Sequence, residues 1–290
     1  MDKHEFFNII KNAFPELQIN DFSVLGHGKF ATACLVNKNI VFKISNIGEK
    51  FYKQAKHEDY IISKLSNKLS FGFPHILYRI REYDNRFIFG ESLVSGITYT
   101  QELHDSFDEQ TKNGILQQIG RIMRELHDSE FDDSEKVLSV SEYTDTVNVY
   151  NDYFSESVRA CFSKQEIIDI EKMRERYEDL SINHPVKKVL VHGDLHFANM
   201  MFDKDKKQIS GLIDFGAAHF AEPSRDMHYY YGDGAKNILI GYGETSDIYL
   251  PERQKFQSVI NFLSNIGDNI KANKSPDKDV KKLLGVVYSR

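Results

Sequence analysis

The feature that most restricts how this sequence can fold is a pair of short apolar runs, residues 189–202 and 211–216, with Asp194, Asn199 and Asp214 set among their hydrophobic residues. A carboxylate or amide taken into apolar surroundings loses its hydration, and the cost persists unless a partner replaces the water. A bound cation is one such partner. Asn199 and Asp214 offer hard oxygen donors of the kind Mg2+ accepts, with phosphates and waters completing the shell. Taken singly, Asp194 also suits a turn that caps a helix, and Asp214 the end of a strand. The combination is what narrows the choice.

Asp194 precedes Asn199 by five positions, and Asp214-Phe215-Gly216 follows. Phosphoryl-transfer loops use these parts in this order. An aspartate receives the proton of the acceptor hydroxyl, an asparagine five residues later holds a metal, and the aspartate of an Asp-Phe-Gly turn binds the metal that bridges the nucleotide phosphates. His192 and His196 lie four apart but lack the intervening glutamate of a helical zinc site, and Gly193 disfavours a helix there. His192 therefore reads as a scaffold residue of the loop and His196 as its neighbour.

Composition removes several function classes. The net charge of -6 lacks the basic excess that displaces counterions from nucleic acid, while it would suit a cationic small molecule. No apolar run reaches the length of a membrane span, and the N-terminus has neither the basic start nor the apolar core of a secretory signal. A cytoplasmic monomer with no nucleic-acid or membrane partner is expected. Cys34 and Cys161 are too few for a disulfide framework and lack zinc-knuckle spacing.

Along the chain, Phe6, Ile9, Ile10, Ala13 and Phe14 mark one face of an N-terminal helix. Strand-like stretches follow at Asp21–Leu25, Ala31–Val36 and Ile40–Ile44, the first two joined by a turn at Gly26-His27-Gly28-Lys29. Phe51–Leu69 reads as a helix, and Ile76–Ile80 and Arg86–Leu93 as strands. Helices are expected over Glu109–His127, Thr146–Phe162, Lys164–Leu180 and Pro251–Ile266. A strand-rich first third followed by a helical remainder predicts an α+β protein of two lobes meeting near residue 95.

The loop His192-Gly193-Asp194 to Asn199, with Asp214-Phe215-Gly216, resembles the aminoglycoside phosphotransferase family, a branch of the protein-kinase-like fold whose catalytic loop reads His-Gly-Asp. The resemblance extends over residues 20–232. It implies a small antiparallel-sheet lobe for the nucleotide, residues 1–95, and a larger, mainly helical catalytic and substrate-binding lobe, residues 96–290. It further implies Asp194 as the catalytic residue, Asn199 and Asp214 as Mg2+ ligands, and ATP or GTP as phosphate donor. Gly26 and Gly28 fall where the phosphate-covering loop belongs, and Lys43 matches the strand lysine that touches the α- and β-phosphates. Glu58 is chosen as its helix partner, with Glu49 the rival. Ser92 and Val94 align with the backbone contacts to the purine, Met201 with its apolar floor and Val41 with its roof. Glu91 occupies a position where the family usually carries an apolar residue, which leaves the choice between ATP and GTP open.

Only Ala217–Glu222 separates Gly216 from Pro223, too little chain for a peptide platform, so the acceptor is expected to be small. Asp226 matches a bracing position near a helix start. The acids Asp152, Glu156, Asp233, Glu244 and Asp247, with Tyr229, Tyr230 and Tyr231, are candidates to meet an amine-rich or quaternary ammonium acceptor. The function expected is Mg2+-dependent phosphorylation of a small-molecule hydroxyl, foremost on an aminoglycoside or similar antibiotic. A metabolic kinase for choline, homoserine or a sugar is the alternative, and a nucleotide-binding pseudokinase a third reading.

Overall fold

A computed structural model describes residues 3–65, 69–129, 131 and 146–289. In chain order its elements are α1 (Lys3–Ala13), β1 (Phe22–His27), β2 (Ala31–Val36), β3 (Ile40–Ser45), α2 (Glu49–Lys64), β4 (Ile76–Tyr83), β5 (Arg86–Ser92) and β6 (Ile97–Thr98). There follow α3 (Gln101–Asp105), α4 (Glu109–His127), α5 (Thr146–Tyr153), α6 (Glu156–Arg159), α7 (Lys164–Asn183), β7 (Val189–Val191), β8 (Met200–Asp203) and β9 (Gln208–Leu212). The chain ends with β10 (His219–Ala221), α8 (Gly232–Tyr242), α9 (Leu250–Lys271) and α10 (Asp277–Val287). The architecture is the α+β, protein-kinase-like one, an antiparallel-sheet N-terminal part and a mainly helical C-terminal part.

Two compact units divide the chain. The first comprises Met1–Thr100, Ser129–Val140 and Phe197–Ala218, and the second Gln101–Asp128, Ser141–His196 and His219–Arg290.

The first unit is built on an antiparallel sheet of order β1-β2-β3-β5-β4. Its register opposes Cys34 to Phe42 and Ile44 to Ile88, so these side chains share one face with Val36 and Ile40. α1 covers that face because Phe6, Ile9, Ile10, Ala13 and Phe14 form a single apolar stripe. The opposite face carries Leu35, Val41, Lys43, Phe89 and Glu91, an apolar surface with two charged side chains in it. A second, three-stranded sheet of order β6-β8-β9 completes the unit, joined to residue 72 by a parallel bridge between Gly72 and Gly211.

Several boundaries differ from those the sequence suggests. β1 runs on through His27, whose Nδ1 meets Thr32 Oγ1 across the strands at 3.1 Å, so Gly26 sits in a bulge of the strand and the turn itself is Gly28–Phe30. α2 ends at Lys64, and residues 66–68 of the helix expected over Phe51–Leu69 lie outside the described residues. The single helix expected over Thr146–Phe162 is two, α5 and α6. The Phe154 carbonyl accepts from Arg159 Nε at 3.0 Å, and Ser155 takes an extended backbone to start the second helix.

In the second unit α9 is the central helix, with Phe256, Val259, Ile260 and Leu263 packed among Tyr150, Tyr177 and their neighbours. Arg253, on the same helix, is fully buried. It is tolerated because Glu222 and Asp247 neutralise it at 3.1 Å each, and the Leu180 carbonyl accepts a further hydrogen bond.

α4 and α8 cross so closely that only glycine fits. A Cβ on Gly120 would lie 2.1 Å from the Ile238 carbonyl oxygen, and one on Gly241 only 1.9 Å from that of Gln117. Gly114, on the same helix α4, has nothing within 4 Å. Gly120→Ala and Gly241→Ala are expected to lower unfolding stability by about 3 kcal/mol each, since backbone must move to admit the methyl. Gly114→Ala should instead raise it by about 0.5–1 kcal/mol through helix propensity and lost unfolded-state entropy. Urea denaturation of the three variants checks both signs.

Candidate active site

In the first unit the sheet face opposite α1 places the Lys43 ammonium among three carboxylates. Nζ pairs with Glu58 Oε1 of α2, lies 3.7 Å from Glu91 Oε1 of β5, and 3.5 Å from Asp214 Oδ1. Glu58 reaches Lys43 because it lies on the buried face of α2 with Ala55, Ile61 and Ile62, whereas Glu49 pairs with Lys53 at 3.0 Å. Burial alone would lower the Lys43 amine, but the Glu58, Glu91 and Asp214 carboxylates outweigh it and raise the amine above its ordinary value. Burial pushes Glu58 and Glu91 upward, and Lys43 opposes the shift only in part. One ammonium against three carboxylates leaves an excess of negative charge, which a proton or a second cation lowers in energy.

Asp214 follows β9 and begins a 3-10 turn, Phe215–Ala217, with φ of 67° and ψ of 65°. Left-handed backbone is strained for most side chains, and aspartate is among the few that adopt it readily. The half-exposed carboxylate stands clear of the buried Phe215. α2 supports this turn from one side. Burial shifts the His57 pKa below its ordinary value, and its Nε2–H donates to the Ala218 carbonyl at 2.5 Å, while Gly216 lies against Gln54. Asn199 ends another 3-10 turn, Phe197–Asn199, and is buried. Its carbonyl accepts from Ile213 N–H at 3.0 Å, continuing the β8–β9 ladder and tying Asn199 beside the residue preceding Asp214.

The other expected nucleotide-site residues also belong to this unit. Gly28 N–H donates to the Ala31 carbonyl at 2.8 Å in the β1–β2 turn, and Gly26 lies in the bulge before it. Ser92 closes β5, with its Oγ accepting from His75 N–H at 3.0 Å. Val94 is buried against Gly72 and Gly211, and Met201 pairs with Gly211 across β8 and β9.

Asp194 belongs to the second unit, in the loop that follows β7. The backbone of that loop is held by Asp226, whose carboxylate accepts from His192 N–H at 2.8 Å, Gly193 N–H at 2.7 Å and His127 Nε2 at 3.0 Å. Burial alone would raise Asp226, yet these donors hold it down at about 2. Gly193 supplies the φ of 78° that the loop needs before Asp194. Asp226 lies within a 3-10 turn, Pro223–Met227, and α8 begins only at Gly232, so the bracing carboxylate acts from the turn and not from a helix start. The Asp194 carboxylate accepts from Tyr229 Oη at 2.5 Å and lies 3.5 Å from His196 Nε2. Burial would raise it, and His196 and Tyr229 together hold it well below the usual carboxylate range.

Three contacts were not foreseen from the chain. Glu91 beside Lys43 follows from the strand register that opposes it to Val41, Tyr229 on Asp194 has no local signature, and His57 on Ala218 joins residues far apart in sequence. Some expected substrate groups are engaged elsewhere. Asp247 is buried against Arg253, Tyr230 donates to the Leu195 carbonyl at 3.2 Å, and Tyr231 packs edge-on against Phe262. Among the described residues no three or more His, Cys, Asp or Glu side chains group as a metal cluster, and no helix is long and apolar enough to cross a membrane.

Comparison with known proteins agrees with this fold. Solved structures share the fold across nearly the full length of both chains. One is the GDP and kanamycin complex of APH(2")-IIia, with a TM-score of 0.79, 18% identity, and 98% of each chain covered. Another is the GDP complex of wild-type aminoglycoside 2'-phosphotransferase-IIIa, with a TM-score of 0.77, 19% identity, and 99% of this chain and 97% of that one covered. A third, the streptomycin-ATP-APH(2")-IIa ternary complex, has a TM-score of 0.69 and 19% identity, covering 98% and 96%. The model of the phosphotransferase enzyme family matches residues 30–243, most of the chain. This protein belongs to that family and is a phosphotransferase acting on hydroxyl groups.

Proposed function

We propose that this phosphotransferase moves the γ-phosphate of ATP or GTP, with Mg2+, to a hydroxyl of an aminoglycoside or similar small-molecule antibiotic. The observation that carries the reading is the gathering of Lys43, Glu58 and Asp214 in one unit, with Asn199 bonded to the residue preceding Asp214. The complexes of similar folds with GDP and kanamycin, and with ATP and streptomycin, support both the donor and the acceptor class.

Each role follows from local chemistry. Lys43, charged and held by Glu58, steadies the α- and β-phosphates as a point charge. The Gly26–Phe30 segment covers the phosphates with backbone amides other than the Gly28 N–H, which donates to the Ala31 carbonyl. The Ser92 carbonyl and Val94 amide receive the purine, with Met201 and Val41 as apolar contacts. Asn199 and Asp214 fit a divalent cation. Two oxygen donors suit Mg2+, which keeps waters and phosphate oxygens in its shell, and the carboxylate excess around Lys43 favours a second cation. When bound, the ion offsets negative charge on the phosphate oxygens. Asp194 orients the acceptor hydroxyl and takes its proton as the new P–O bond forms. The exposed carboxylates Asp152, Glu156, Asp233 and Glu244 remain candidates to attract an amine-rich acceptor.

A kinetic screen of aminoglycosides, macrolides, choline and homoserine with ATP and with GTP tests the substrate class. Turnover of an aminoglycoside is expected, and turnover of the metabolic alcohols alone would reassign the acceptor. Asp194→Asn should lower kcat by about 10^3-fold while leaving nucleotide affinity nearly intact. Asp214→Asn should weaken Mg2+-nucleotide binding as well, measured by calorimetry with and without the metal. Glu58→Gln should raise the nucleotide KM about tenfold through loss of the Lys43 pairing. Wild-type behaviour in all three variants would remove the assignment.

A further inference from the structure

Tyr229 lies two residues beyond the Pro223–Met227 turn that carries Asp226. Its hydroxyl donates to Asp194 Oδ1 at 2.5 Å, at the short end for a bond from a hydroxyl to an ionised oxygen. Two histidine rings pack against the Tyr229 ring. His228 packs on it with centroids 3.9 Å apart, and the His196 ring meets it edge-on at 5.2 Å and 80°. His228 is itself fixed, being buried, with Nδ1–H donating to the Arg225 carbonyl at 2.6 Å. The phenol oxygen is thereby held in place against the carboxylate.

We infer that Tyr229 is a positioning residue for the reaction: its hydroxyl anchors Oδ1 of Asp194 and so fixes the orientation in which that carboxylate meets the acceptor alcohol, with His196 3.5 Å from Oδ2. The inference rests on the catalytic role proposed above for Asp194. Asp226 and Tyr229 divide the work within one short segment, the first holding the loop backbone at His192 and Gly193, the second holding the side chain of Asp194.

The chemistry gives the hydroxyl a consequence beyond packing. An ionised carboxylate has about four acceptor directions, and Tyr229 occupies one of them. A donor to the ionised form disfavours protonation, so Asp194 aligns the alcohol through most of the reaction and takes its proton late, in keeping with a loose phosphoryl-transfer transition state. The acceptor O–H proton ends on Asp194, the acceptor O–P bond forms, and the bond from the γ-phosphorus to the leaving nucleoside diphosphate breaks. Tyr229 keeps its own proton throughout.

Tyr229→Phe isolates this effect, because the ring contacts with His228 and His196 remain and only the hydroxyl is lost. Activity is read as phosphate transfer from ATP and from GTP to kanamycin, with release of inorganic phosphate to water as the readout where kanamycin is not turned over. Expected are a fall in kcat of about tenfold, an unchanged nucleotide KM, and an acid limb of kcat/KM displaced to higher pH. The sign follows from removing a donor that stabilises ionised Asp194. The other titratable groups near the pair are His192 and His196 of the loop, and Arg225, Asp226, His228 and Tyr153 facing it. Replacing Tyr229 with 3-fluorotyrosine, a stronger donor of nearly the same shape, should move the acid limb the opposite way.

Carbon NMR of the Asp194 carboxyl in wild type and Tyr229→Phe, assigned with Asp194→Asn, reads the contact without turnover. A titration displaced to higher pH in Tyr229→Phe is the supporting result. An unmoved titration, or a variant with wild-type kcat and acid limb, overturns the inference. A displaced titration together with full turnover by Asp194→Asn would instead remove the catalytic reading of Asp194, and the positioning role with it, while leaving the contact.

Discussion

The ammonium of Lys43 holds the candidate nucleotide site of the first unit together. It stands on a sheet face otherwise lined by Leu35, Val41 and Phe89, where an isolated charge would be costly. Glu58, Glu91 and Asp214 reach it from a helix, a neighbouring strand and the Asp-Phe-Gly turn, so elements far apart in sequence are tied by one charge. Glu58 and Glu91 in turn depend on Lys43, since without it two buried acids would face each other and the half-exposed Asp214 with little solvation. The opposite face of the same sheet, sealed by α1, needs no such arrangement, because the core buried there carries no charged side chain.

In the second unit the same physics appears with the charges exchanged. Asp226 is a fully buried carboxylate that gathers donors from His192, Gly193 and His127. His127 is held in turn by the Tyr242 hydroxyl at 3.0 Å, so the chain of bonds runs from the loop before Asp194 to the end of α8. The close crossing of α4 and α8 at Gly120 and Gly241 keeps His127 and Tyr242 within reach of each other. Helix packing and loop geometry are in this way one problem. The rigidity that places the Asp194 backbone begins in two residues without side chains.

The candidate site was legible where function is written in local spacing. Asp194, Asn199 and Asp214 fall within a short span, in the order that the family resemblance implies. Glu58 could be selected because helical periodicity places it beside Ala55, Ile61 and Ile62 on the buried face of α2. Glu91 was visible only as an acid in an unusual position, since its approach to Lys43 depends on how β5 registers against β3. The break between α5 and α6 was hidden for a related reason. The Arg159 side chain that takes the Phe154 carbonyl is a local accident that apolar periodicity does not record. The three consecutive tyrosines looked alike in the chain, yet one meets Asp194, one the Leu195 carbonyl and one Phe262.

By itself the chain determined the α+β order of elements and the oxygen-bearing residues available for phosphate chemistry, because hydrophobic period and motif spacing act over a few residues at a time. Tertiary structure decided which of those charges share a partner, and it carried Phe197–Ala218 into the unit built on the N-terminal sheet. It also set Tyr229 against Asp194. These outcomes come from strand register, from helix faces meeting at glycine, and from the need of every buried charge to find an opposite, and none of these is a property of neighbouring residues alone.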